Sequence, residues 1–119
     1  MKNKFGWSTE CKEHIKLKKI ATRFLKKKMG FKDNEITYEN TITPTAYGRR
    51  LRGDVVAVNQ NRKVWIECGK LSFFNNDLET IKGLGFSFLH LPYANNHKNY
   101  LKLTPYQEGI LIKFLGDLK

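Results

Sequence analysis

The first quarter of the chain has apolar residues at helical spacing. They follow the i, i+3, i+4, i+7, i+8 pattern of a helix with one buried face: Leu17, Ile20, Ala21, Phe24 and Leu25. Ser8 or Thr9 can cap the start of this helix, and Gly30 can end it. The same face, extended towards the N-terminus, includes Glu13 and His14, so we expect both polar side chains to point inward.

Three strands are predicted to follow. Residues Ile36–Ile42 have the β-branched and aromatic content of a strand. Residues 54–58 and Lys63–Cys68 form two further apolar runs, joined by the asparagine-containing turn 59–62. Because asparagine tolerates the positive φ values of tight turns, these two runs predict an antiparallel hairpin.

A helix, a strand and a last helix complete the pattern. Residues 78–82 are predicted to be helical, with Asn75, Asn76 or Asp77 as the cap, and residues 86–91 read as a largely buried strand. Thr104, Pro105 and Gln107 form a helix start, with an apolar stripe after it: Ile110, Leu111, Phe114, Leu115 and Leu118. We therefore predict one α/β domain spanning residues 1–119, with a small mixed sheet flanked by helices.

Two carboxylates lie where strands should be buried. Asp54 begins one run of the hairpin, and Glu67 shares a predicted strand face with Trp65 near the end of the other. A buried carboxylate costs several kcal/mol unless a cation or hydrogen bonds compensate it. Adjacent strands lie about 4.8 Å apart, so both carboxylates could hold one Mg²⁺ or Mn²⁺, ions that prefer oxygen ligands.

The charge balance indicates a polyanionic partner. The chain carries 22 Lys and Arg against 11 Asp and Glu, a net charge of +11, which favours nucleic acid over anionic lipid. No apolar run approaches the about 18 residues of a membrane span, so no membrane partner and a soluble, cytoplasmic protein are expected. Cys11 and Cys68 have neither disulfide-framework nor zinc-site spacing.

Basic residues cluster in two segments that could bind a phosphate backbone. The predicted loop 43–53 carries arginines just before Asp54: Arg49, Arg50 and Arg52. Lysines of the first helix are expected mostly on its flanks and outer face, among them Lys18, Lys19, Lys26 and Lys27. The arginines are the more informative group, because they could bring phosphates to a metal held by Asp54.

The hairpin resembles that of the PD-(D/E)xK nuclease superfamily. The similarity lies in the segment Arg52-Gly53-Asp54-Val55-Val56-Ala57, followed by Val64-Trp65-Ile66-Glu67, and extends over residues 13–92. It implies a restriction-endonuclease-like αβββαβ core, here with an extra C-terminal helix. It also implies that Asp54 and Glu67 are the two motif acids, and that Glu13 or Glu39 joins them at the metal.

The chain departs from this pattern at one position. The superfamily motif has lysine two residues after the second acid, where this chain has Gly69. Lys70 follows, and a bulge at Gly69 could turn it towards the site. Lys82, from the next helix, is the alternative replacement.

The predicted function is a metal-dependent nuclease with DNA as the favoured substrate, cutting as an endonuclease. Asp54 and Glu67 would hold Mg²⁺ or Mn²⁺, and Lys70 would orient the attacking water or stabilise transition-state charge. The alternative is a non-catalytic nucleic-acid-binding module or assembly subunit with the same fold. A homodimer is one arrangement that would cut both strands. His14, His90 and His97 lack ligand spacing and are given no catalytic role.

Overall fold

The computed structural model describes residues 2–3, 6–7, 12–42, 50–71, 73, 75–94 and 103–118. These residues form three α-helices, one 3₁₀ turn and six strands. In chain order they are β1 (Lys2–Asn3), β2 (Gly6–Trp7), α1 (Lys12–Met29), the 3₁₀ turn (Asp33–Glu35), β3 (Ile36–Ile42), β4 (Leu51–Val58), β5 (Lys63–Cys68), α2 (Asn75–Gly83), β6 (Ser87–Leu91) and α3 (Pro105–Asp117).

The main sheet has the strand order β3-β4-β5-β6. Strands β3, β4 and β5 pair antiparallel in sequence order, as the hairpin pattern predicts. Strand β6 returns through α2 and pairs parallel with β5. The predicted α/β class with a small mixed sheet is therefore confirmed, and the short β1–β2 pair forms a separate sheet.

One face of the sheet packs against α1 and α3. The stripe predicted for α1 contributes Leu17, Ala21, Phe24 and Leu25 to this core. Helix α3 contributes Leu111 and Phe114. Its start is the capping box expected from sequence, because Gln107 N–H donates to Thr104 Oγ1 and Thr104 N–H donates to Gln107 Oε1.

The opposite face forms a smaller aromatic core beneath α2. Trp65 is fully buried there and packs with Leu51, Val56 and Ile81. The Trp65 indole meets the Phe86 ring edge-on, with 5.3 Å between ring centroids. The side chains of β5 therefore alternate as predicted, with Trp65 and Glu67 facing away from the α1 side.

Two elements begin earlier in the chain than the sequence pattern predicts. Strand β4 begins at Leu51, so residues 51–53, predicted as loop, are strand, and Asp54 lies in mid-strand. The reason is that Leu51 is buried in the aromatic core and Arg52 pairs with Thr41 of β3. Helix α2 begins at Asn75 and is longer than predicted. Ser8 and Thr9, the predicted caps of α1, lie outside the described residues.

The length and apolar character of the described helices bear on whether any of them could cross a membrane. Within residues 12–29, 75–83 and 105–117, no helix combines the length and the apolar character needed to cross a membrane.

Candidate metal centre

Three carboxylates occupy one row across the sheet. Tyr38 pairs with Val55 and Asn40 with Gly53, so Glu39 of β3 lies opposite Asp54 of β4. The pairing of Val55 with Ile66 likewise puts Asp54 opposite Glu67 of β5. The row extends to His90 of β6, which pairs with Glu67. Strand register thus brings together acids that are far apart in the sequence.

Asp54 is held by backbone and approached by a histidine. Cys68 N–H donates to Asp54 Oδ2 at 2.7 Å. The second oxygen, Oδ1, lies 3.6 Å from Nε2 of His14 on α1. With 13% of its side chain exposed, Asp54 is largely shielded but remains open to a cleft.

Glu67 is more deeply buried and has lost part of its acidity. Its Oε2 accepts hydrogen bonds from Trp65 Nε1–H at 3.0 Å and from Asp54 N–H at 3.3 Å. Burial, followed by the negative charge of Asp54, raises the pKa of Glu67 from 4.5 to about 8. At neutral pH and without a cation nearby, this carboxyl is therefore mostly protonated.

Glu39 has strained backbone and an incompletely satisfied carboxylate. Among the residues that the structure describes, Glu39 is the one non-glycine residue with a positive φ, which is 52°. Lys18 Nζ donates to Oε1 at 2.8 Å, whereas Oε2 is buried without a hydrogen-bond partner. Arg52 Nε lies 3.4 Å from Oε2 but forms no hydrogen bond with it. Strain and an unsatisfied buried acceptor together are typical of functional sites.

The position of Lys18 differs from the prediction. Its side chain is 0% exposed and lies beside Glu39, whereas the helical pattern suggested the flank or outer face of α1. A lysine at this position stays buried because its ammonium is paired with the carboxylate. Lys18 is therefore a member of the acidic site, and its burial removes it from the surface available to a nucleic acid.

The two candidate third acids occupy different environments. Glu13 is buried as predicted, but its Oε2 accepts a 2.6 Å hydrogen bond from Ala94 N–H. The group that could hold a cation is instead formed by His14, Glu39 and Asp54, which each offer one ligand atom within 4.8 Å of the others. Of the two alternatives, the geometry favours Glu39 over Glu13.

These ligand atoms suit a hard divalent ion. The carboxylate oxygens of Glu39 and Asp54 are the ligands that Mg²⁺ and Mn²⁺ prefer, whereas the imidazole of His14 is a ligand type that Zn²⁺ and Fe²⁺ prefer. The unsatisfied Oε2 of Glu39 is an independent indication, because a bound cation would satisfy it. Glu67 lines the same cleft as Asp54 and could add a further ligand on losing its proton.

The carboxylates of Asp54 and Glu67 open onto a cleft of about 360 Å³ that is also lined by cationic side chains. Arg50, Arg52 and Lys70 lie along it with Asp54 and Glu67. Lys70 lies there because Gly69, with φ of 84°, ends the regular alternation of β5. Lys82, the alternative replacement, is exposed on α2 and is not one of the described residues that line the cleft.

The remaining predicted nucleic-acid contacts are distributed over the surface of α1. Lys19, Lys26 and Lys27 are exposed, and Lys26 forms an ion pair with Asp33. Lys27 borders a separate groove between α1 and α3. Arg49 lies outside the described residues.

The site contains residues to which sequence reasoning gave no role. His14 faces Asp54 and contacts Tyr93, and both line the cleft. The inward position of His14 was readable from the helical stripe, but its partners are 40 and 79 residues further along the chain. Ligand-spacing rules examine near neighbours in sequence, so they do not detect such a group.

Comparisons of this chain with protein-family models, with curated proteins and with solved structures found no match. The functional argument therefore depends on the geometry and chemistry of the site itself.

Proposed function

We propose that this protein is a metal-dependent nuclease that hydrolyses phosphodiester bonds within nucleic acid, with DNA as the favoured substrate. The observation that carries the proposal is the row of Glu39, Asp54 and Glu67, joined by His14, beside a cleft that Asp54, Glu67 and His14 line together with cationic side chains. Burial, and after it the repulsion between the Glu67 and Asp54 carboxylates, raises the pKa of Glu67. A divalent cation relieves this repulsion, and the surrounding positive charge suits a phosphate diester.

The order of structural elements supports the same class. Helix α1, the antiparallel strands β3 to β5, helix α2 and the parallel strand β6 follow the order of the restriction-endonuclease-like core. Asp54 and Glu67 occupy neighbouring strands, as the PD-(D/E)xK resemblance implies. The superfamily motif has a lysine two residues after its second acid. In this chain that position is Gly69, and the next residue, Lys70, lines the cleft.

Asp54, Glu39 and His14 would hold Mg²⁺ or Mn²⁺, with Glu67 as a further oxygen ligand. Bound there, the ion would lower the pKa of a water molecule and stabilise negative charge on the phosphate. The chain keeps its own acids in place through backbone donors, with Cys68 N–H on Asp54 and Asp54 N–H on Glu67. These fixed contacts reduce the reorganisation needed when substrate binds.

Positive side chains at the cleft would position the substrate. Arg50, Arg52 and Lys70 lie beside the acids and can contact phosphate oxygens. Such contacts carry no base-sequence information, so we expect binding that depends strongly on salt and weakly on sequence.

The experiment is a cleavage assay on labelled duplex, branched and single-stranded DNA and on RNA, with Mg²⁺, Mn²⁺ or EDTA. We expect metal-dependent internal cleavage by the natural chain. In the double variant Asp54→Ala, Glu67→Ala, the cleavage rate should fall by more than about 10³-fold, because the residues that would bind and align the metal ion are removed.

The matched control is the double variant Glu79→Ala, Asp117→Ala, which removes two exposed acids outside the cleft. It should cleave like the natural chain. Cleavage that persists in EDTA, or that the Asp54→Ala, Glu67→Ala variant retains in full, would refute the proposal.

The second candidate function is a nucleic-acid-binding module without catalysis. The Lys18–Glu39 ion pair favours it, because a buried ammonium already supplies positive charge at the acidic row. This alternative predicts salt-sensitive binding that EDTA does not change and no cleavage of any substrate in the panel. Metal-dependent strand scission by the natural chain excludes it.

A further inference from the structure

The space beside Gly69 is filled by a tyrosine. A Cβ atom on Gly69 would lie 2.4 Å from Cζ and 2.7 Å from the hydroxyl oxygen of Tyr93. The φ of Gly69, 84°, also disfavours any other residue. A side chain at position 69 and the Tyr93 phenol therefore exclude one another.

The backbone explains how Tyr93 reaches this position. Gly69 N–H donates to Leu91 O at 2.8 Å, which continues the contact between β5 and β6 beyond the end of β5. The chain then passes through Pro92, whose carbonyl oxygen accepts a 2.7 Å hydrogen bond from Gln107 Nε2 of α3. Tyr93 is thus carried back over Gly69 and lines the cleft.

His14 links the Tyr93 hydroxyl to the acidic row. The distance from His14 Nδ1 to the Tyr93 hydroxyl oxygen is 3.1 Å, and His14 Nε2 lies 3.6 Å from Asp54 Oδ1. The two rings meet edge to face, with 6.3 Å between centroids. When Nε2 of a neutral histidine faces a cation, its proton must be on Nδ1. Nδ1–H would then donate to the Tyr93 oxygen, and the phenolic O–H could donate into the cleft.

We propose that Tyr93 is a catalytic residue whose hydroxyl donates a hydrogen bond to a non-bridging phosphate oxygen. The Tyr93 phenol lies in the space that a side chain at position 69 would need. His14 is its positioning residue. This inference rests on the proposed nuclease function. A donor aimed at developing phosphate charge gains most in the transition state, so its effect should fall on kcat more than on KM.

The test compares Tyr93→Phe with Tyr106→Phe, a control that removes the hydroxyl of a tyrosine 70% exposed on α3. Phenylalanine keeps the ring over Gly69, and thermal unfolding checks that both variants fold. With plasmid DNA and Mn²⁺, Tyr93→Phe should lose about 10²-fold in kcat with little change in KM, whereas Tyr106→Phe should match the natural chain. Mn²⁺ affinity should be the same in all three.

A second readout does not depend on catalysis. Long-range ¹H–¹⁵N spectra in the presence of Mg²⁺ should show His14 protonated at Nδ1, with a proton resonance that moves upfield in Tyr93→Phe because its acceptor is lost. Natural kcat in Tyr93→Phe, or an Nδ1 proton unaffected by the substitution, would overturn the role of Tyr93 while leaving the nuclease proposal intact. A natural chain that cleaves nothing would overturn both.

Discussion

The two ends of the β4–β5 hairpin are built differently. At the turn end, Asn59 Oδ1 accepts from Asn61 N–H and Arg62 N–H, so local contacts close the hairpin. At the cleft end, Asp54 and Glu67 each accept a backbone N–H from the opposite strand. At the turn end, the side-chain oxygen of Asn59 and the backbone N–H groups of Asn61 and Arg62 are satisfied within the hairpin. The cleft end depends on side chains from other elements and keeps charge, strain and an unsatisfied oxygen.

This difference allows matched experiments, because each residue type of interest at the cleft end has a counterpart elsewhere in the chain. Substitutions of these counterparts report the ordinary cost of losing a contact outside the cleft. The same substitutions at the cleft end should show the added effect of buried charge, crowded packing or substrate contact.

The largest difference is expected between Lys18→Met and Lys63→Met. Lys18 is buried against Glu39, so its loss should lower the free energy of unfolding by about 3 kcal/mol, since Glu39 loses its closest cation. Lys63 donates to Leu84 O and lies over Phe86, and its loss should cost about 1 kcal/mol. Urea unfolding in EDTA measures both. Equal costs would mean that the Lys18–Glu39 pair does not stabilise the cleft end.

Next in size, per pH unit, is a pH effect from Glu67. Its pKa is about 8 in the folded chain and 4.5 when unperturbed, so the folded state binds more protons between these values. Its contribution is fully present below pH 4.5, falls as pH rises and is lost above about pH 8. Metal-free protein should lose up to about 1.4 kcal/mol per pH unit within this window.

Glu67→Gln should remove most of that slope, whereas Glu79→Gln, at an exposed position of α2, should leave it unchanged. Chemical unfolding at several pH values gives the comparison. The account fails here if the natural chain becomes more stable between pH 5 and 8 and the slope is insensitive to Glu67→Gln.

Two glycines give the third contrast. Gly69 and Gly85 both have positive φ, 84° and 95°, so alanine at either should cost about 1–2 kcal/mol. A Cβ at Gly69 would also overlap the Tyr93 ring, whereas the nearest atom to one at Gly85 is the Lys63 side chain at 3.6 Å. Thermal or urea unfolding should therefore find Gly69→Ala the more destabilised variant. The reverse order would argue against the packing of Tyr93 over Gly69.

The smallest effect is on salt dependence of DNA binding. Arg52 lines the cleft and Arg62 lies in the hairpin turn. Arg52→Gln should reduce the slope of log affinity against log salt by roughly 0.9, the value for one phosphate contact on duplex DNA. Arg62→Gln should leave the slope unchanged. Anisotropy titrations over a range of salt concentrations measure both, and identical slopes would remove Arg52 from the interface.

Features that depend on near neighbours in sequence were largely predictable, and the contacts that other elements bring to the cleft end were not. Alternation fixed the faces of β5, and the Thr104–Gln107 capping box marked the start of α3, because both depend on near neighbours. The sequence also identified Asp54 and Glu67 as acids on adjacent strands.

Long-range placement at the cleft could not be predicted in the same way. The sequence pattern predicts a loop at Leu51, because the arginines and glycine around it mask the alternation of β4. It predicts the flank or outer face of α1 for Lys18, because only tertiary structure brings Glu39 beside it. The role of His14 likewise depends on strand register and on the return of the chain at Tyr93. A single sequence does not specify such contacts.

The central claim is that the cleft end of the sheet binds a divalent cation. Anomalous diffraction from crystals soaked in Mn²⁺ tests it most directly, because the ion is located without reference to activity. We expect a manganese peak between Asp54 and Glu39, within coordination distance of His14. Manganese bound only elsewhere, with the Lys18 ammonium as the cation beside these carboxylates, would contradict the account.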